Sequence, residues 1–82
     1  MIIVEIYVPY IDKRYEFRLN EDVAISVVVD EVCSIISEKE QRALPGVGKG
    51  MVLFHVDRGI ALPGDKSLYE SNVDTGDKLI LV

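Results

Sequence analysis

The chain has 82 residues, 49% of them hydrophobic and 28% charged, and a formal net charge of −5. This length and composition predict one globular domain over residues 1–82, with one small core. The acidic balance argues against nucleic-acid binding, since Lys13-Arg14 is the only adjacent basic pair. No run approaches the ~18 apolar residues of a membrane span, and a single cysteine, Cys33, cannot form an intrachain disulfide. We therefore expect a cytoplasmic protein without direct membrane insertion.

The first predicted element is an apolar strand at Ile2–Val8. Glu5 marks its outward positions, because side chains alternate between the two faces of a strand. The even-numbered residues of this strand should therefore face the core, and Ile3, Glu5 and Tyr7 should face away from it. Pro9 ends the strand by removing a backbone donor and begins a turn of hairpin length.

A second strand is predicted at Arg14–Leu19, where polar and apolar residues alternate without a break. Tyr15, Phe17 and Leu19 should face the core, and the intervening positions should face solvent. Three charged side chains on one face predict a solvated edge strand: Arg14, Glu16 and Arg18. The first two strands should form a hairpin.

A helix should follow, with N-cap candidates and early negative charge at Asn20–Asp22. Its apolar residues recur at helical spacing, although several are β-branched, which mildly favours a strand. The period is the stronger signal, and it predicts that one helical face is buried: Ile25, Val28, Val29, Val32 and Ile36. The charged stretch that begins at Glu38 and the proline at position 45 should end the helix.

The second half of the chain predicts short strands joined by turns. Residues 44–50 contain three glycines and should be flexible. Met51–Val56 reads as a third strand, and a turn leads from it into a short strand at Ile60–Leu62. Residues 66–73 are too mixed for more than a helical turn or a loop.

The last four residues, Leu79–Val82, are apolar and follow a polar turn at Asp74–Asp77. A strand this apolar should lie inside the sheet, because edge strands usually carry charges or proline. It should pair in parallel with Ile2–Val8, since a crossover containing the helix joins the two. The predicted fold is α+β, a β-grasp with a mixed sheet of four to five strands and one main helix packed on one face.

The last part of the chain contains a leucine at position 68, an Asn72-Val73 corner, Gly76-Asp77 and the final strand. In these features it resembles the closing segment of ubiquitin. Within the ubiquitin superfamily the chain is similar to the YukD-like (EsaB-like) family, which accompanies the type VII (Ess/ESX) secretion machinery of Gram-positive bacteria. The points of similarity are the length, the hairpin at Val56–Leu62, Gly64, Leu68, Gly76-Asp77 and a terminus that ends with the strand.

This resemblance implies a non-catalytic accessory protein that binds protein partners, such as the cytoplasmic part of a secretion membrane component. We expect the chain to be a monomer or a weak homodimer. The chain departs from ubiquitin because Val82 is not followed by a Gly-Gly tail, so we expect no conjugation. A general β-grasp adaptor unrelated to secretion is the alternative function.

Residues that suggest chemistry are isolated. The glycine-rich stretch at 46–50 lacks the Ser/Thr of a P-loop and runs from a helix to a strand. Cys33 and His55 each stand alone, whereas a nucleophile needs a base and a zinc site needs three or four ligands. We therefore expect no catalytic residue, cofactor or metal. A thiol-dependent enzyme or redox protein using Cys33 is the rival interpretation.

The open face of the sheet is the remaining candidate site. Ile80 and Val82 should point outward beside Ile3 and Tyr7, and by resemblance to ubiquitin Phe54 points outward as well. The alternation of the third strand also permits the opposite phase, with Leu53 and His55 exposed. The predicted partner-binding residues form a contiguous apolar patch with a polar rim: Ile3, Tyr7, Phe54, Ile80, Val82, Arg14 and Arg18. The alternative is that this exposure is incidental to a small domain.

Overall fold

Five strands form one mixed sheet, with one helix across it, in the computed structural model, which describes residues 1–41, 44 and 51–82. The spatial order of the strands is β2-β1-β5-β3-β4. In chain order the elements are β1 (Ile2–Val8), β2 (Lys13–Leu19), α1 (Ile25–Glu40), β3 (Leu53–His55), β4 (Ile60–Ala61) and β5 (Lys78–Leu81). This is the predicted ubiquitin-like β-grasp.

The strands nearest the two ends of the chain lie side by side in the centre of the sheet. β1 and β5 pair in parallel, with Ile6 opposite Leu79. On its other side β5 pairs with β3 in the antiparallel sense. β2 lies at one edge and β4 at the other, which confirms the predicted central position of the last strand and the edge position of β2.

The core lies between the sheet and the helix. The predicted helical face is buried, and it meets the inward side chains of β1, β3 and β5. Tyr15 and Phe17 of β2 are half-buried and pack against the edge of this core. The largest side chains that are almost wholly enclosed are Ile6, Ile25, Ile36, Leu53, Leu68, Leu79 and Leu81.

The predicted N-cap at Asn20–Asp22 is wrong, because the helix begins later, with Ala24 as its N-cap. Alanine has no side-chain acceptor, and backbone carbonyls from a distant loop replace it. The N–H of Ile25 donates to the Lys66 carbonyl at 2.8 Å, and the N–H of Ser26 donates to the Gly64 carbonyl at 3.0 Å. The helix start is therefore capped by tertiary contacts.

Several connecting segments differ from the sequence-based boundaries. β3 and β4 are shorter than predicted, and residues 66–73 form turns, as expected. Leu44 was expected to open a flexible segment but is buried in the core, with its N–H donated to Ser37 Oγ at 3.4 Å. The rest of that segment, residues 45–50, lies outside the described residues, and so does the glycine-rich stretch within it.

The described helix has neither the length nor the continuous apolar surface needed to cross a membrane.

Candidate functional site

The exposed face of the sheet lies opposite the helix, and the orientation of β3 decides which residues occupy it. Leu53 and His55 are buried, whereas 37% of the Phe54 surface is exposed. Phe54 lies directly across from Ile80 of β5, so both side chains are on the same face. The phase with Phe54 outward, which the resemblance to ubiquitin favoured, is therefore confirmed.

Hydrogen bonds explain why a histidine takes the inward position. The N–H of Arg58 donates to His55 Nδ1 at 3.2 Å, so Nε2 carries the ring hydrogen and donates to Asp77 Oδ2 at 2.9 Å. Asp77 Oδ2 also accepts from the Asp74 N–H at 2.9 Å. The pKa of the Asp77 carboxyl is lowered, first by the Asp74 hydrogen bond and then by the one from His55. His55 therefore serves as a satisfied structural residue that joins two turns.

One row of side chains crosses the whole exposed face. Tyr7 pairs with Arg14 on one side and with Ile80 on the other. Phe54 continues the row from Ile80 and pairs in turn with Ala61. Strand register thus places an aromatic ring, an aliphatic side chain and a second aromatic ring in adjacent positions across β1, β5 and β3.

Tyr7 is held in place at its end of this row. The Arg14 guanidinium lies over the ring, 4.5 Å from its centroid. The phenol donates a hydrogen bond to Asp12 Oδ1 at 2.8 Å. This hydrogen bond is the main reason that the pKa of Tyr7 is raised, because it favours the protonated phenol. The ring therefore offers an apolar face that is already fixed by its neighbours.

Apolar side chains flank the row just outside both ends of β3 and just after β5. Val52 and Val82 exchange backbone hydrogen bonds of 2.6 and 2.9 Å, and both side chains are exposed. Val56 is also exposed, at the other end of β3. The sequence prediction included Val82 but missed Val52 and Val56. The signal was available, since both residues share the phase of Phe54.

Ile3 and Arg18 are separated from the rest of the predicted patch. They pair with each other across β1 and β2. Between them and the central row lies a charged row in which Glu5 pairs with both Glu16 and Lys78. Ile3 is about 13 Å from Tyr7 along the strand. The structure thus brings Tyr7, Phe54, Ile80 and Val82 together and leaves Ile3 apart, because the register puts charged residues between them.

Cys33 is enclosed in the core, and its thiol donates to Met51 Sδ at 3.6 Å. Its pKa is raised, mainly by burial and secondarily by the Asp30 carboxylate, so the thiol stays protonated. Within residues 1–41, 44 and 51–82, no three His, Cys, Asp or Glu side chains are grouped so that they could hold a metal ion. Because its exposed side chains are clustered, the open sheet face is a stronger candidate for the functional site than Cys33.

Solved structures place this fold among ubiquitin-like domains. The ubiquitin-like domain of EccD5 from Mycobacterium xenopi is 29% identical, with a TM-score of 0.77 over 99% of this chain and 91% of that chain. A ubiquitin from Caldiarchaeum subterraneum is 21% identical, with a TM-score of 0.73 over 98% and 89% of the two chains. A chain of the MycP5-free ESX-5 inner membrane complex is 22% identical, with a TM-score of 0.78, over 99% of this chain and 20% of that one.

A family model gives the more specific relationship. No curated protein sequence matches this chain significantly. The model for protein YukD of the WXG100 protein secretion system (Wss) matches residues 2–81, which is nearly the whole chain. The chain therefore belongs to the YukD family of the WXG100 protein secretion system.

Proposed function

We propose that this chain is a non-catalytic recognition module of a type VII (WXG100) secretion system, which binds the cytoplasmic part of a secretion membrane component through its open sheet face. The observation that carries the proposal is the row of Tyr7, Ile80 and Phe54, which the strand register makes continuous. The YukD family match and the likeness to the EccD5 domain and to a chain of the ESX-5 inner membrane complex support the secretion context.

The size of the patch indicates a weak, transient contact. Burying an apolar side chain fully contributes about 1.5–3 kcal/mol. Three such residues therefore supply an amount comparable to the low end of the association cost, which is about 4–15 kcal/mol. The half-buried Ile80 contributes less than a fully exposed residue would. Arg14, beside the row, would have to add polar contacts for tighter binding.

A recognition role without conjugation is part of the proposal. The N–H and the carbonyl of Val82 both bond to Val52, which holds this part of the backbone beside β3. Mass spectrometry of the protein isolated from its own cells tests this point. Higher-mass adducts linked through the C-terminus of the chain would contradict it.

Phe54→Asp and Ile80→Asp are expected to abolish partner binding. Each change places a charge, which is costly to desolvate, in the centre of the proposed contact. Val27→Asp is the matched control, because Val27 is also an exposed apolar residue but lies on the helix, on the opposite side of the molecule. Binding is measured by co-purification with the secretion membrane component, and circular dichroism checks that each variant is folded. Unchanged co-purification of the folded Phe54→Asp variant would discard the patch.

A photo-crosslinking amino acid at Phe54 tests which partner occupies the face. The expected product is an adduct with a membrane component of the secretion system, identified by mass spectrometry. An adduct with an unrelated cytosolic protein would favour the general adaptor instead. The same label at Val27 should give neither adduct, since that position lies away from the sheet face.

A further inference from the structure

The outer edge of β2 presents backbone groups for pairing. The backbone N–H and carbonyl of Ile3 and the N–H of Glu5 bond toward the segment that leads into β5, so the odd-numbered residues of β1 face β5. The even-numbered residues of β1 therefore bond to β2, and their partners there are Lys13, Tyr15, Phe17 and Leu19. The intervening residues, Arg14, Glu16 and Arg18, direct their backbone groups outward, where no described residue bonds to them.

The side chains along this edge alternate in charge. Arg14, Glu16 and Arg18 are exposed on the open face of the sheet. Arg14 is engaged with the Tyr7 ring. Among the described residues, no ion pair or side-chain hydrogen bond engages Glu16 or Arg18. An edge strand with two free, opposite charges is complementary to an antiparallel copy of itself.

We propose that two copies of this chain pair through β2, antiparallel, with the two-fold axis at Phe17. This register places Glu16 opposite Arg18 of the second copy, and Arg18 opposite Glu16, so the same ion pair forms twice. The outward backbone groups of each β2 find partners, and the two sheets continue into one.

Two other two-fold registers are less favourable. An axis at Glu16 puts the two Glu16 carboxylates opposite each other and Arg14 opposite Arg18, which is repulsive. An axis at Tyr15 pairs Arg14 with Glu16 and Asp12 with Arg18. Arg14 and Asp12 are already engaged with the ring and the hydroxyl of Tyr7, respectively. The axis at Phe17 is the register that pairs the two free charges.

The helix side of the same edge is apolar around Phe17, whereas Lys39 lies over the Tyr15 ring and Glu40 bonds to the Tyr15 hydroxyl. A groove of about 120 Å³ runs between β2 and α1, and its lining includes Phe17, Leu19 and Ile35. Ile35 is 47% exposed although it lies on a flank of the helix beside the core. With the axis at Phe17, the two Phe17 rings meet and Tyr15 lies opposite Leu19 of the second copy. Apolar contact would then cover the middle of the inner side of the junction, while ion pairs cover the outer side.

The paired state has a consequence for recognition. A two-fold axis perpendicular to the sheet keeps both helices on one side. Both open sheet faces, each with its row of Tyr7, Ile80 and Phe54, then lie on the other side. The dimer would therefore present two identical binding faces in one plane, and weak single contacts would gain avidity against a partner with repeated sites. The pairing itself depends only on the β2 edge and stands or fails separately from the function of the open face.

Charge reversal and charge exchange test the register, with dimerisation measured by sedimentation equilibrium at low salt. The single variants Arg18→Glu and Glu16→Arg should each raise the dimer dissociation constant about tenfold or more, because two attractive pairs become repulsive. The double variant E16R/R18E should return it to within about threefold of the wild-type value, because the exchanged charges are again complementary. Arg14→Glu is the control and should have little effect, since Arg14 faces Asn20 in this register.

The outcomes separate the alternatives. An axis at Tyr15 would make Arg14→Glu disruptive and would leave the double variant unrescued, because the arginine introduced at position 16 would face Arg14. A wild-type chain that remains monomeric at millimolar concentration overturns the proposal, and so does a dimer that none of the charge variants weakens. Circular dichroism of each variant shows whether the monomer is folded. Binding at the open face is measured separately, with the Phe54→Asp variant. A chain that does not dimerise would therefore leave the proposed recognition function uncontradicted.

Discussion

At the residue scale, His55 shows why the phase of β3 could not be derived from its own neighbours. Alternation alone allowed either Leu53 and His55 or Phe54 to face the core. A buried histidine is stable only when its ring nitrogens are satisfied, and its partners are the Arg58 N–H and the Asp77 carboxylate. Asp77 lies 22 positions further along the chain. The deciding interaction was thus non-local, and the family resemblance supplied the correct choice.

Asp77→Asn is expected to make stability less dependent on pH in the acid range. The folded-state pKa of Asp77 is lowered, so the unfolded chain takes up the proton first as the pH falls. The stability that Asp77 contributes is complete above the ordinary carboxyl pKa of about 4, and it is lost as the pH falls through the lowered value. Urea unfolding between pH 2 and about pH 7 measures this change.

The expected flattening is partial. The pKa values of Glu21 and Glu70 are also lowered, mainly by hydrogen bonds from the N-terminal amine and from the Ser67 backbone, respectively. Asp57→Asn is the control, at an exposed position in the turn after β3, and it should keep the wild-type pH profile. An Asp77→Asn profile parallel to that of the wild type would show that the carboxylate charge is unimportant for stability.

At the scale of elements, the elements with strong periodicity were predictable and those that depend on distant contacts were not. The alternation of β1 and β2 and the apolar face of α1 match the structure. The start of α1 was misplaced because its N–H groups are capped by Lys66 and Gly64, which no local pattern reveals. The separation of Ile3 from the apolar row was missed for a similar reason. It depends on the register between β1 and β5.

Gly76→Ala should destabilise the turn that leads into β5. Gly76 has a φ of 94°, a conformation that residues with a Cβ adopt only with strain. Its N–H also donates to the Ile3 carbonyl at 2.8 Å, so the turn is tied to β1. We expect a loss of about 1–2 kcal/mol in the free energy of unfolding. Urea unfolding monitored by circular dichroism provides the measurement.

Gly64→Ala is the matched control for this prediction. A Cβ at Gly64 would lie 3.5 Å from the Ser26 Cβ, an ordinary van der Waals distance, and its φ is outside the left-handed region. The free energy of unfolding should therefore change by less than about 0.5 kcal/mol. Equal losses for both variants would mean that the positive φ of Gly76 is not what matters.

At the scale of the whole molecule, the arrangement of the chain couples its two ends. β1 and β5 lie next to each other in the sheet although nearly the whole sequence separates them. The α1 helix packs across both, and the turn before β5 bonds back to Ile3. The apolar character of Leu79–Val82 made this arrangement predictable, since an edge could not accommodate it. That residues 1–82 unfold as one unit remains a prediction.

Native-state hydrogen exchange should show this coupling directly. β5 is paired on both sides and its inward residues are buried, so its amides should exchange only through global unfolding. β4 comprises two exposed residues paired on one side, and its amides should exchange through local opening. Adding low concentrations of urea should therefore accelerate exchange in β1 and β5 with the slope of global unfolding, while β4 responds weakly. If β5 exchanged as readily as β4, the two ends of the chain would open independently, and the central parallel pair would not be the element that unites the domain.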